Sequence, residues 1–252
     1  MKDNTTFFPE SSLKKILEND KGGSSKVDKD ISSNKKRYSR LGVIGRFRPL
    51  HIGGAMMLET LCQQSGYVII GVGSANKYNI RNPFTAEESV NMIDKYLSSQ
   101  GYDNYEIFTI NDYAHIPEFS DGQKWKNEVK QHLGKIDAFI TGNPYSKNLL
   151  GADYKIVHPG ELIPPEKWVW LRGTMARVEM AKNSDLWEKM VPQVVVEYLL
   201  ENKLVDRFQR EFGLQTLSCL VEESSGDLSQ SLGAGYVQRE NLEQEYKHTL
   251  EK

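Results

Sequence analysis

Five short apolar runs, most of them followed by a stretch of helical periodicity, constrain this chain more than any other feature. They occupy residues 41–45, 67–73, 105–110, 137–142 and 154–157. Runs of that length, rich in Val, Ile and Phe and closed by glycine or polar residues, read as strands buried on both faces. Between them apolar residues recur at helical spacing. Met57, Leu58, Leu61 and Cys62 follow the first run, and Val90, Met92, Ile93 and Leu97 follow the second. The second helix opens on Thr85-Ala86-Glu87-Glu88, the pattern of a capping box, and a third is expected over 125–133. Strands that alternate with helices pair in parallel, because a parallel neighbour is reached only by a crossover. The expected fold is therefore α/β, a doubly wound parallel five-stranded sheet, with C-terminal helices at 174–181, 193–201 and 205–212.

The ends of the chain have a different character. Residues 1–38 are dominated by Lys, Asp, Ser and Asn, and only Leu13, Ile16 and Leu17 make an amphipathic turn. Such a segment buries too little to offset its ordering entropy, so a flexible extension is expected there. The run Lys35-Lys36-Arg37 reads as a solvated flank. Residues 216–252 thin out in the same way and are expected to form a mobile tail, which leaves 39–215 as the folded domain.

Composition excludes several classes. With 32 basic against 34 acidic residues the net charge is −2, which argues against a basic nucleic-acid-binding domain. No apolar run reaches the roughly 18 residues of a membrane span, and the N-terminus lacks the apolar segment of a secretory signal. Cys62 and Cys219, the two cysteines, make neither a disulfide framework nor a zinc cage. A cytoplasmic protein with reduced thiols is expected, with no membrane or nucleic-acid partner.

Doubly wound sheets bind ligands beyond the carboxyl ends of their strands. The loop after the first strand, Gly45-Arg46-Phe47-Arg48-Pro49-Leu50-His51-Ile52-Gly53-Gly54, runs straight into a helix. Arginines, a histidine and glycines at a helix N-terminus are the ingredients of a phosphate cradle, where free N–H groups and positive potential meet close backbone approach. The loop is not a GxxxxGK[ST] or GxGxxG pattern. His115, His132 and His158 lack metal-ligand spacing and are expected to be structural. Met56 and Met57 are expected in the core.

The loop resembles the GRFQPxHxGH signature of archaeal-type nicotinamide mononucleotide adenylyltransferases, within the HxGH nucleotidylyltransferase superfamily. The resemblance continues in order over residues 40–206. Gly73-Ser74-Ala75 is similar to the family's GSA, Arg81-Asn82-Pro83-Phe84-Thr85 to its R(D/N)PFT, Thr141-Gly142-Asn143 to its (T/S)GN, and Arg172-Gly173-Thr174-Met175-Ala176-Arg177 to its SGTxxR. Asp112 and Trp125 fall where the family has an Asp and a Trp. The departures are specific: the second histidine of HxGH is Gly54, the serine of SGT is Arg172, and the glutamine of GRFQP is Arg48.

The resemblance implies a Rossmann-like nucleotidylyltransferase fold and transfer of an adenylyl group from ATP to nicotinamide mononucleotide, giving NAD and pyrophosphate. It implies His51, Arg46 and Arg177 as catalytic residues on the phosphates. Gly45, Arg48, Gly53, Gly54, Gly73, Asn143, Arg172 and Thr174 would shape the nucleotide site, and Arg81, Asp112 and Trp125 the mononucleotide site. Mg2+ would be held mainly by ATP phosphates and no protein metal cage is expected; homo-oligomers occur among such enzymes. Loss of the imidazole at position 54 removes a charge-stabilising donor, worth about 10²- to 10³-fold in rate by analogy with an oxyanion-hole donor. Arg48, Lys77 and Arg172 are the candidate substitutes. Two rival readings stand beside this one: a cytidylyltransferase acting on a small phosphorylated substrate, and a catalytically weakened nucleotide-binding sensor.

Overall fold

The computed structural model describes residues 36–169 and 171–223. The leader expected to be flexible lies almost wholly outside the described residues, as does the part of the expected tail beyond Glu223. Five parallel strands form one sheet in the order β3-β2-β1-β4-β5, with β1 at Tyr38–Gly45, β2 at Ser65–Val72, β3 at Tyr105–Thr109, β4 at Ala138–Ile140 and β5 at Ile156–Val157. Leu41 is paired with Val68 on one side and Ala138 on the other, so β1 is central. The chain winds outward through β2 and β3, then returns to place β4 against the free edge of β1. That reversal creates the switch point at which doubly wound sheets bind ligands.

Helices α1 (Ile52–Gln64), α2 (Ala86–Ser99), α3 (Gln123–Leu133) and α4 (Pro144–Leu150) alternate with the strands. Ile69, Ile110 and Phe139 pack with Val129 and Leu133 of α3 and Leu150 of α4 in one core layer. The strand pleat sends Val68 and Ile70 to the opposite face, where α1 and α2 meet β2. Gly42 lets α3 close on β1, because a Cβ there would stand 2.8 Å from a Leu133 methyl. The capping box at α2 forms as the sequence predicts. Thr85 N–H donates to the Glu88 carboxylate at 2.8 Å, and Glu88 N–H donates to Thr85 Oγ1 at 3.1 Å. Gly122 precedes α3 with φ 78°, a left-handed conformation that favours glycine. Lys36 is not merely solvated, since its ammonium donates to the Cys62 and Gln63 carbonyls at the end of α1.

Beyond the sheet lie α5 (Gly173–Ala181), α6 (Gln193–Glu201), α7 (Leu204–Phe208) and α8 (Leu214–Glu223), the last two joined by a π-helical turn over Gln209–Gly213. This final helical run extends farther than the 205–212 of the periodicity. Thr216 and Cys219, spaced for one helix face and only 2% and 6% exposed, supply the burial that a purely apolar reading overlooks. Tyr154 falls in the turn before β5, its N–H donating to the Leu150 carbonyl.

Candidate active site

The chain leaves β1 at Gly45, turns through Phe47 with φ 51°, and enters α1 at His51. His51 is the N-cap, and its Nδ1 accepts from the N–H of Gly54 at 3.3 Å. A neutral imidazole that accepts at Nδ1 carries its proton on Nε2, which makes Nε2 a donor. Gly53 and Gly54 complete the first turn of the helix. A Cβ on Gly54 would lie 3.7 Å from His51 Nε2 and 3.5 Å from a Leu50 methyl, ordinary contact distances. Glycine at 54 is therefore no packing requirement; it leaves open the space beside the imidazole.

The N-terminus of α5 converges on the same place. Arg172 is its N-cap residue, and a Cβ on Gly173 would meet the Arg48 and Pro49 carbonyls at 3.3 and 3.4 Å. Arg177, one turn further on, donates from Nη1 to the Arg48 carbonyl at 2.6 Å and from Nη2 to Thr174 Oγ1 at 3.0 Å. Between the two helix ends opens a cleft of about 310 Å³, within the usual range for small-molecule sites. Arg46, Arg48, Arg81, Arg172 and Arg177 line it, together with His51, and among the described residues no carboxylate does. Its other wall is apolar, formed by Met56, Met57, Ile163, Trp168, Val169 and Leu171.

Electrostatics follows from this crowding. Burial holds the His51 imidazole down, to about 4, and the charges of Arg177 and Arg172 add to the effect. Burial also lowers the proton affinity of Arg46, with Arg81 and Arg172 contributing against the opposing charge of Asp112. Guanidiniums crowded together in a recess lined by none of the described carboxylates form a site for a polyanion.

Arg48 is turned away from this role. It is only 2% exposed. Its Nη2 donates to the Gly73 and Ser74 carbonyls at 3.0 and 3.2 Å, and its Nη1 to Ser74 O at 3.2 Å and Asn82 Oδ1 at 2.6 Å. The guanidinium ties the β1 loop to both ends of the connection between β2 and α2. Lys77 lies outside the cleft lining, with its Nζ 2.7 Å from His115 Nδ1.

The sequence-predicted residues thus divide into two groups. Gly45, Arg46, Arg48, His51, Gly53, Gly54, Arg81, Arg172, Thr174 and Arg177 line one cleft. Gly73, Asp112, Trp125 and Asn143 do not; Gly73, Asp112 and Asn143 follow β2, β3 and β4 at the carboxyl rim of the sheet, and Trp125 lies on α3. Asn143 caps α4, its Oδ1 accepting from Tyr145 N–H at 2.9 Å. Trp125 and Tyr145 stand 6.3 Å apart, ring centre to ring centre. Met56 and Met57 correct the expectation of core residues. Ala55, Leu58, Leu61 and Cys62 take the buried stripe of α1, which turns both methionines to the cleft. Asn82 was missed as a functional position; its signal was the Asn-Pro pair inside the NPFT stretch. His132 stacks on Phe108 at 4.2 Å, and His158 Nδ1 accepts from Gly160 N–H as a cap. Among the described residues no group of His, Cys, Asp and Glu forms a metal cage, and no helix is long and apolar enough to cross a membrane.

Comparison with known proteins places this geometry. Residues 43–157 match the Cytidylyltransferase-like family. A nicotinamide-nucleotide adenylyltransferase of Thermoplasma volcanium is 30% identical over 172 residues, spanning 68% of this chain and 91% of that relative. The enzyme of the same name from Pyrococcus horikoshii is 31% identical over 188 residues, spanning 73% and 92%. Among solved structures, a bifunctional NMN adenylyltransferase/ADP ribose pyrophosphatase of Francisella tularensis, complexed with AMP and a Mn ion, shares the fold with a TM-score of 0.53 at 22% identity. That match covers 69% of this chain and about half, 52%, of the bifunctional protein. The Thermoplasma and Pyrococcus enzymes are matched over nine-tenths of their length or more, so the likeness takes in whole enzymes and the chain belongs to the nicotinamide-nucleotide adenylyltransferase family.

Proposed function

We propose that this protein transfers the adenylyl group of ATP to nicotinamide mononucleotide, forming NAD and releasing pyrophosphate. The observation that carries the reading is the lining of the cleft: five guanidiniums and an imidazole, with no carboxylate among the described residues that line it. A phosphate oxygen of the mononucleotide attacks the α-phosphorus, the bond from that phosphorus to the bridging oxygen breaks, and pyrophosphate leaves with the electron pair. The nucleophile is already anionic, so the reaction asks for alignment and charge stabilisation rather than a general base.

Each residue then has a task. His51, neutral and protonated at Nε2, donates to the α- and β-phosphates. Arg177, held by the Arg48 carbonyl and Thr174, receives the β- and γ-phosphates, and the free N–H groups at the starts of α1 and α5 add positive potential. Arg46 and Arg81 take the mononucleotide phosphate, while Asp112 at the neighbouring rim and Trp125 on α3 receive the nicotinamide. Arg48 acts through the loops it holds, including Gly73. A divalent cation, Mg2+ in this reading, would be held mainly by the phosphate oxygens of ATP. When bound it supplies further neutralisation of phosphate charge.

The test is NAD formation and pyrophosphate release with Mg2+, ATP and nicotinamide mononucleotide, with CTP replacing ATP in parallel. Product that requires both ATP and the mononucleotide is expected. Turnover with CTP alone, or tight ATP binding without pyrophosphate release, overturns the proposal in favour of the two rivals.

A further inference from the structure

We propose that Tyr78 and Glu211 are positioning residues for Arg81, so that the C-terminal helical run sets where that guanidinium meets the mononucleotide phosphate. The inference rests on the adenylyl-transfer reading above.

The segment between β2 and α2 brings Arg81 to the cleft, and around Arg81 it is a closed turn. Asn79 and Asn82 bond each other's backbones at 3.3 and 2.7 Å, and Asn79 Oδ1 accepts from the N–H groups of Arg81 and Asn82, both at 3.1 Å. Residues 79–82 therefore move as a unit, and a shift of the turn carries Arg81 with it. Arg48 fixes the inner side of that unit through Asn82.

The outer side is fixed by the C-terminal run. Tyr78, next to the turn, donates its hydroxyl to Glu211 Oε2 and meets the Phe212 ring edge-on, with 5.2 Å between ring centres. Across the turn, Arg207 Nη2 donates to the Pro83 carbonyl at 3.3 Å, and the same guanidinium lies 5.6 Å from the centre of the Tyr78 ring. Tyr78 and Pro83 flank the turn, so one helical run takes hold of it at both ends. Glu211 and Phe212 lie in the π-helical turn Gln209–Gly213, a rare backbone form that occurs mostly as single turns at functional sites.

Two features separate positioning from packing. Tyr78 is 47% exposed, so its ring adds little to the core. Its hydroxyl instead reaches a carboxylate 133 residues away in sequence, a bond that restrains direction as well as distance. The earlier part of the same segment leans elsewhere, Asn76 on the backbone of Asp112 and Lys77 on His115. The C-terminal run thus acts on the part that carries Arg81. Ordering an arginine before its phosphate arrives lowers the entropy lost on binding.

The experiment compares wild type with Tyr78→Phe, Glu211→Ala and Glu211→Gln, each alone and combined with Arg81→Ala, with thermal melts to establish folding. Tyr78→Phe and Glu211→Ala are expected to raise KM for nicotinamide mononucleotide about three- to tenfold, the scale of one hydrogen bond to a charged group. Both kcat and KM for ATP should stay within about twofold of wild type. Glutamine keeps an acceptor oxygen and should recover most of the loss. In the Arg81→Ala background no guanidinium remains to be positioned, so Glu211→Ala should add less than about twofold. An unchanged KM for the mononucleotide in both single variants, a parallel rise in KM for ATP, or full multiplication of the Glu211 and Arg81 effects overturns the proposal. If wild type itself makes no NAD, the adenylyl-transfer reading fails first, and limited trypsin digestion still tests the tether. Cleavage after Arg81, read by peptide mass mapping, should quicken about tenfold in Glu211→Ala as the turn opens more often, and a rate equal to that of wild type sinks the idea.

Discussion

The guanidinium of Arg48 donates to Asn82 Oδ1 at 2.6 Å across 34 residues of sequence. Asn82 is itself 4% exposed, and its amide nitrogen donates to Asn79 Oδ1 at 3.0 Å. The loop after β1 and the stretch leading into α2 are thereby held as one piece, with Arg81 presented to the cleft beside them. A buried charge without a carboxylate at its Nη groups relies on such oxygens, and losing one strands part of it.

Asn82→Ala should therefore destabilise the fold by about 2 kcal/mol, the usual cost of removing a partner from a buried charged donor. Urea unfolding would show a lower midpoint. An unchanged midpoint would mean that the loops hold without the bond.

Acid should act through His51. The unfolded chain binds that proton near 6.5, whereas burial, Arg177 and Arg172 keep the folded imidazole neutral down to about 4. Because the folded value is depressed, the stability associated with neutral His51 is complete above 6.5 and declines as pH falls toward 4. Histidine NMR of the free protein should place the His51 midpoint near the lower value, and Arg177→Met should raise it. A wild-type midpoint at 6.5 contradicts the site geometry.

Glu88 does double duty, capping α2 and receiving Arg207 from α7 at 2.6 and 2.7 Å. The two side chains are 23% and 15% exposed, so the bidentate pair is sheltered from solvent screening. Arg207→Ala should cost about 2 kcal/mol, and Arg207→Lys should restore little of it, because an ammonium lacks the fork. Thermal melts of the three proteins decide this.

The Cys62 thiol is fully buried and burial pushes it up to about 12. Iodoacetamide should leave it unmodified in the native protein at neutral pH and alkylate it in guanidinium chloride, as read by peptide mass mapping. Rapid native alkylation would show that α1 opens readily.

Replacing Trp125 tests the mononucleotide side independently of the cleft. Trp125→Leu should raise KM for nicotinamide mononucleotide about tenfold, the scale of a lost aromatic contact, with KM for ATP little changed. A shift confined to ATP would assign the ring to the wrong substrate.

The order of the five strands and of the helices other than α4 and α8, the capping box at Thr85 and the phosphate-cradle character of the β1 loop were legible in the sequence. Each rests on local periodicity, on a cap four residues long, or on residue types adjacent in the chain. Tertiary structure alone decided where the long cationic side chains are anchored. Arg46, Arg48, Arg172 and Arg177 look alike as sequence, yet folding sets the Nη groups of Arg48 on Gly73, Ser74 and Asn82 and those of Arg177 on the Arg48 carbonyl and Thr174. Met56 and Met57 satisfy a core pattern but face the site, because the buried stripe of α1 was already complete without them. The reason is physical. Periodicity specifies which face of an element is apolar, whereas the partner of a long polar side chain depends on which distant loops the crossovers bring to the same edge of the sheet.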